Sequence, residues 1–125
     1  MDKKVSVQDI IRKEVERLDG DFDRVYAYLH QEVSAGRKKI LRHGNTLLLC
    51  TPKKNKTVEA HFVTADKPKA IISAAKKFHA ELRNAGAKKV VSNTDNKQII
   101  RLLESGGFDV KATPVDGGYH LEFEV

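Results

Sequence analysis

The stretch Asn96-Lys97-Gln98-Ile99-Ile100-Arg101-Leu102-Leu103-Glu104-Ser105-Gly106-Gly107-Phe108 decides how the chain is read. Ile99, Ile100, Leu102 and Leu103 recur at helical spacing, so a short helix begins at about Asp95 or Asn96. Gly106-Gly107 ends it, since glycine accepts the left-handed conformation that closes a helix. Val90-Val91, just upstream, is a short apolar run of buried-strand type. The unit is therefore a strand followed by a helix.

Working upstream, Asp66 with Pro68 in the first turn opens a longer helix. Ile71, Ala74, Ala75, Phe78, Leu82 and Ala85 form its apolar stripe, Gly86 stops it, and Lys69, Lys76 and Lys77 fall mainly on the opposite, solvated face. Before it, residues 39–42, 46–51 and 57–64 read as three short strands joined by His43-Gly44-Asn45 and by a lysine-rich turn at 53–56, an antiparallel meander. Two helices come first. Ser6 with Asp9, and Val5 with Ile10, give a capping arrangement and a hydrophobic staple for a helix over about 7–18. Phe22, Val25, Tyr26, Leu29 and Val33 mark a second, closed by Gly36. Downstream of Phe108, alternation through Val110 and Ala112, an Asp116-Gly117-Gly118 turn, and Tyr119, Leu121, Phe123 and Val125 predict a terminal hairpin with one wet and one buried face.

The 125 residues fit one domain, 1–125, with a core of its own, and 40% of them are hydrophobic. No apolar stretch reaches the roughly 20 residues of a membrane span, and residues 1–6 lack the apolar centre of a signal peptide. Cys50, the single cysteine, excludes an internal disulfide and a multi-cysteine zinc site, and its apolar neighbours read as core. The histidines show no metal-ligand spacing, so no metal is expected. The net charge of +6 concentrates in Arg37, Lys38, Lys39 and Arg42, and again in Lys53, Lys54 and Lys56. These clusters suit phosphates or an acidic partner, and equally a solvated surface, for no aromatic residues interleave to stack bases.

Residues 96–108 resemble the N-x-x-A-x-x-L-Y-x-x-x-G-F motif of the GNAT acyltransferases, with Asn96, Ile99, Leu102, Gly107 and Phe108 in register. The element order is similar to that fold, lacking a clear first strand. The resemblance implies an α/β domain with a GNAT-like mixed sheet: a meander, strand-helix units and a C-terminal hairpin, with helices on both faces. Phe62-Val63-Thr64-Ala65-Asp66 leading into a lysine-rich helix, and Asn93-Thr94 before the last, look like the GNAT-like proteins of short-tailed bacteriophages. Some of those are virion or morphogenesis proteins.

What the resemblance implies chemically is mixed. The family's glycine-rich loop, which wraps the pyrophosphate of acetyl-CoA, corresponds to Asp66-Lys67-Pro68-Lys69-Ala70-Ile71-Ile72. That stretch has no glycine, loses an N–H donor at Pro68, and sets the Asp66 carboxylate where phosphate would sit. The tyrosine that protonates the leaving thiolate aligns with Leu103, which has no proton to give. Glu59 stands where such enzymes often carry a base, with His61 on the same strand face, a pattern shared with a wet sheet surface.

Three functions follow. The leading one is a non-catalytic bacteriophage virion structural or assembly protein, without a cofactor, contacting other virion proteins in the virion or host cytoplasm, with homo-oligomerisation open. The second is an acetyl-CoA-dependent N-acetyltransferase, with Glu59 as base and Val63, Ala65, Lys67, Lys69 and Asn96 around the cofactor. The third is a nucleic-acid-associated module using Arg37, Lys38, Lys39, Arg42, Lys53, Lys54 and Lys56.

Overall fold

In the computed structural model, which describes residues 5–125, the chain runs α1 (Val7–Arg17), α2 (Phe22–Ser34), β1 (Lys39–His43), β2 (Thr46–Pro52), β3 (Thr57–Thr64), α3 (Pro68–Asn84), β4 (Lys89–Thr94), α4 (Lys97–Ser105), β5 (Lys111–Val115) and β6 (Gly118–Glu124). Most of the charged start read at residues 1–6 therefore lies outside the described residues. The strands form one sheet in the order β1-β2-β3-β4-β6-β5. β3 and β4 are parallel, and the other four pairs are antiparallel.

Local chemistry sets the helix ends. The Ser6 hydroxyl accepts the Asp9 N–H at 3.1 Å, as the capping pattern predicts, and Val5 packs against the buried cluster that includes Ile10. The Asn96 side chain caps α4 by accepting the Gln98 N–H at 2.9 Å. At the other end Gly107 takes φ +93°, Gly107 N–H donates to Glu104 C=O at 3.0 Å and Phe108 N–H to Leu103 C=O at 3.1 Å. That is the paired-bond closure a left-handed residue makes available. It also turns Phe108 back, ring against His79, with centroids 5.9 Å apart. The asparagine and glycine of the motif are thus the two ends of one helix.

Strand alternation divides the core between the two faces of the sheet. Leu47 and Val63 bury against Ile10, Ile11, Val15 and Leu29 of α1 and α2. Leu48, Cys50, Ala60 and Val90 bury against Ala74, Phe78 and Leu82 of α3. Helices therefore cover both faces. Among the described residues no strand precedes α1, and no helix is long and apolar enough to cross a membrane.

Three details differ from the sequence reading. Ala85 is the exposed C-cap of α3 and lies beyond its buried stripe. β5 begins only at Lys111 and is exposed along its whole length, because it is the outer strand of the sheet and nothing packs on it. Only β6 supplies a buried residue to the hairpin, Leu121. The third difference concerns Asp66 and bears on the site.

Cys50 is buried, and burial raises its thiol to a pKa of about 11. Thiolate is the reactive form, so a thiol reagent at neutral pH should label the native protein at least ~100-fold more slowly than the urea-unfolded chain. Rapid native labelling would show that Cys50 reaches solvent.

Candidate active site

The parallel ladder between β3 and β4 consists of Thr57↔Lys89, Val58↔Val90 and Glu59↔Val91. Beyond those pairs β3 runs on against β2 to Thr64, and β4 runs on against β6 to Thr94. The two central strands part toward their C-terminal ends. The gap opens into a cleft of about 910 Å3, within the size range of small-molecule sites. Ala60, Phe62, Phe78, Leu82, Leu103 and Leu121 form its apolar wall.

The wall facing α1 is polar. His61 points to this side because it alternates with Phe62, and Asn93 and His120 stand opposite one another on β4 and β6, with His120 Nδ1 3.1 Å from Asn93 Oδ1. α1 contributes Glu14 and Arg17. His61 Nε2 lies 3.7 Å from Glu14 Oε2, Arg17 Nε donates to Glu14 Oε1 at 2.6 Å, and Arg17 Nη1 reaches Asp95 Oδ2 at 3.1 Å. Glu14, only 16% exposed, is the hub of a charged chain joining α1 to β3 and to the start of α4. The neighbouring His61 imidazole, and then Arg17, hold its carboxyl below the usual carboxylate value despite partial burial. It therefore stays ionised at neutral pH.

Glu59 is placed differently. It shares the strand face of His61, as alternation requires, but it belongs to the paired part of the ladder, is exposed, and lies 3.4 Å from Lys53 Nζ. It does not line the cleft. His61 does, and its partner Glu14 comes from a helix, α1, outside the strand.

At the end of β3 the backbone enters α3 through residues 65–67. Asp66 was expected at the head of α3, where its carboxylate would oppose phosphate; the structure corrects this. Asp66 Oδ2 accepts the Asn45 N–H at 2.9 Å and the Thr46 hydroxyl at 2.7 Å, so the carboxylate faces the β1–β2 turn. The Thr64 hydroxyl, 2.7 Å from that of Thr46, accepts the Asp66 N–H at 3.0 Å. Thr46 is completely buried in this network.

α3 consequently begins without a side-chain cap: Lys67 is the N-cap residue and Pro68 follows. The first N–H groups of a helix have no intrahelical partner, so those of Lys69 and Ala70 point outward beside the exposed Lys67 and Lys69 side chains. Two other positions expected near a cofactor are otherwise engaged. Val63 is buried under α1 and α2, and the Ala65 N–H donates to Asn45 C=O at 2.9 Å. Asn96 lines the cleft while capping α4. Leu103 also lines it and, as its side chain requires, offers no proton. Among the described residues no group of three or more His, Cys, Asp or Glu is arranged to hold a metal ion.

The expected basic surface divides. Arg42 lies at the far end of β1 and is held by Gly44 C=O at 2.8 Å, by Asn45 Oδ1 at 3.0 Å and by Val5 C=O. Arg37 pairs with Glu32, and Lys38 Nζ donates to Thr51 Oγ1 at 2.6 Å. Lys39, Lys53, Lys54 and Lys56 remain exposed at the opposite end of the sheet from Arg42.

No protein-family model matches the chain, and no curated protein matches its sequence. Solved structures match it in three dimensions. An aminoglycoside 6'-acetyltransferase type Ii superposes with a TM-score of 0.68 over 94% of this chain and 86% of its own, at 12% identity. A ribosomal-protein-alanine N-acetyltransferase from Brucella melitensis gives 0.60 over 84% and 79%, at 14% identity. A Bacillus subtilis acetyltransferase in complex with CoA gives 0.57 over 79% and 83%, at 10% identity. At such identities the likeness is one of fold: this chain has the GNAT fold.

Proposed function

We propose that the domain binds acetyl-CoA in the opening between β3 and β4 and transfers the acetyl group to a primary amine that enters from the α1 side. The observation that carries this reading is the ladder that ends at Glu59↔Val91 and leaves the cleft between the separated strands. A chain that needed only the fold for packing has no requirement for an opening of that size between its two central strands.

The residues present fit the cofactor, with a reduced phosphate cradle. The apolar side of the cleft suits a thin, largely uncharged arm. The uncapped α3 terminus, with the Lys69 and Ala70 N–H groups and the Lys67 and Lys69 ammonium groups, suits a pyrophosphate, and Asp66 is turned away from it. Pro68 removes one donor, and with no glycine the phosphates cannot approach the backbone closely. Bound acetyl-CoA supplies the activated acetyl thioester. His61 is the group placed to accept the proton of an incoming ammonium, and Glu14 orients the imidazole and balances its charge. Leu103 has no proton to give, so the departing sulfur takes its proton from another group lining the cleft or from water.

Isothermal titration should show saturable binding of acetyl-CoA at micromolar to tens-of-micromolar concentration, weakened about tenfold in Lys67→Glu/Lys69→Glu. Thiol release should appear when a primary amine is added. Absence of both binding heat and a thermal shift at millimolar acetyl-CoA would overturn the proposal. Binding without thiol release across a panel of amines would favour a second reading, a binding-only domain, for which Leu103 and Pro68 argue. The virion assembly role implied by the phage resemblance belongs with that reading.

A further inference from the structure

Outside the cleft, the fold gathers lysines that the sequence keeps apart. Lys88 N–H and Lys89 N–H both donate to the C=O of Lys56, at 2.8 and 3.4 Å, so the β2–β3 turn lies against the start of β4. Lys54, Lys56 and Lys88 are exposed and have no ion-pair partner among the described residues. Lys53 and Lys89, beside them, make pairs with Glu59 and Glu122 at 3.4 and 3.2 Å, exposed pairs of the kind an external anion can displace. None of the five lines the cleft.

The turn itself is unusual. Asn55 and Lys56 have φ +62° and +56°, both left-handed, while Lys53 N–H closes the loop on Thr57 C=O at 2.8 Å. Asparagine tolerates this conformation. Lysine does not favour it, and the second position of such a turn ordinarily takes glycine. An unfavourable backbone state held by a residue that brings charge and no packing points to a use for the charge.

We propose that this end of the sheet docks the phosphate backbone of duplex nucleic acid without reading its sequence. The cations of the patch are all lysines, with Glu59 and Glu122 paired to two of them: it lacks the arginine and aromatic anchors that mark the centre of a protein interface, where lysine is depleted. It also lacks an aromatic platform on which unpaired bases stack, which disfavours a single strand. Ammonium groups spaced along a turn match a repeating phosphate. The proposal is independent of acetyl transfer, and its grouping differs from the one expected from sequence: Arg42 lies at the other end of β1, Arg37 pairs with Glu32, and Lys88 joins.

Fluorescence anisotropy with a labelled 20-base-pair duplex of arbitrary sequence tests it. With three unpaired lysines the slope of log affinity against log salt is expected at about −2.7, so binding weakens roughly 40-fold between 50 and 200 mM salt. Lys54→Gln/Lys56→Gln/Lys88→Gln should lose at least tenfold in affinity at 50 mM and most of the slope. Lys76→Gln/Lys77→Gln, on the exposed face of α3, should bind within twofold of the parent. Circular dichroism confirms that each variant folds. Absence of binding at 50 mM salt, salt-independent binding, or equal loss in the control pair would overturn the proposal. So would displacement of the duplex by poly-glutamate as effectively as by unlabelled duplex at equal charge, which would assign the patch to an acidic protein.

Discussion

Asp66→Ala is expected to destabilise the protein by about 2–4 kcal/mol, lowering the thermal midpoint by roughly 10 °C, while Asp66→Asn loses less than about 1 kcal/mol. The carboxylate oxygen accepts from the Asn45 N–H and from the hydroxyl of Thr46, which has no access to water. Alanine removes this acceptor from both and leaves the Thr46 hydroxyl only that of Thr64, and a buried donor that loses its acceptor costs more than the bond contributed. Asparagine keeps an oxygen in that place. The same pair of variants examines the cofactor end of the cleft. Because the carboxylate faces the β1–β2 turn, removing its charge in Asp66→Asn should change acetyl-CoA affinity by less than about threefold. Tightening of tenfold or more would mean that the carboxylate opposes the phosphates after all, as its position in the sequence suggested.

That contrast shows which parts of the molecule could be read in the sequence. Helix ends were legible because their causes lie within a turn of them: Ser6 and Asp9, Asn96 and Gln98, Gly107 and Phe108. The strand alternation that sets Leu47 against Leu48, and His61 against Phe62, was legible for the same reason. Asp66 was not, since it had two uses open to it, capping the helix just ahead or bonding a turn twenty residues behind, and only the meander's closure brings that turn within reach. The choice of a base between two residues of one strand face meets a related limit. Glu59 and His61 are equivalent by alternation, and what separates them is where β3 leaves β4 and which residue α1 lays against it. Neither is written locally. The basic clusters were visible as composition, but whether a lysine is solvated, paired or gathered with others depends on the contact between Lys56 and Lys88.

His61→Gln is expected to lower the rate of acetyl transfer about 100-fold at neutral pH, the usual scale for loss of a general base, with the KM for acetyl-CoA little changed. Glutamine retains a polar group near Glu14 but cannot take up a proton. The deficit should shrink as the pH rises, because an amine that deprotonates in solution no longer needs a base, and this readout would not move if His61 were only structural. Glu14→Gln should show a smaller loss of the same kind, about tenfold, for it leaves the imidazole in place without the carboxylate that orients it. Glu59→Gln, whose side chain meets Lys53 outside the cleft, should leave the rate within twofold of the parent. The ordering is the critical result. A loss at Glu59 with none at His61 would return the base to the paired end of β3 and would require the amine to approach where the two strands are still joined. Equal, pH-independent losses at His61 and Glu14 would instead mark their contact as a brace between α1 and β3, holding the cleft's polar wall in position while the proton leaves by way of water.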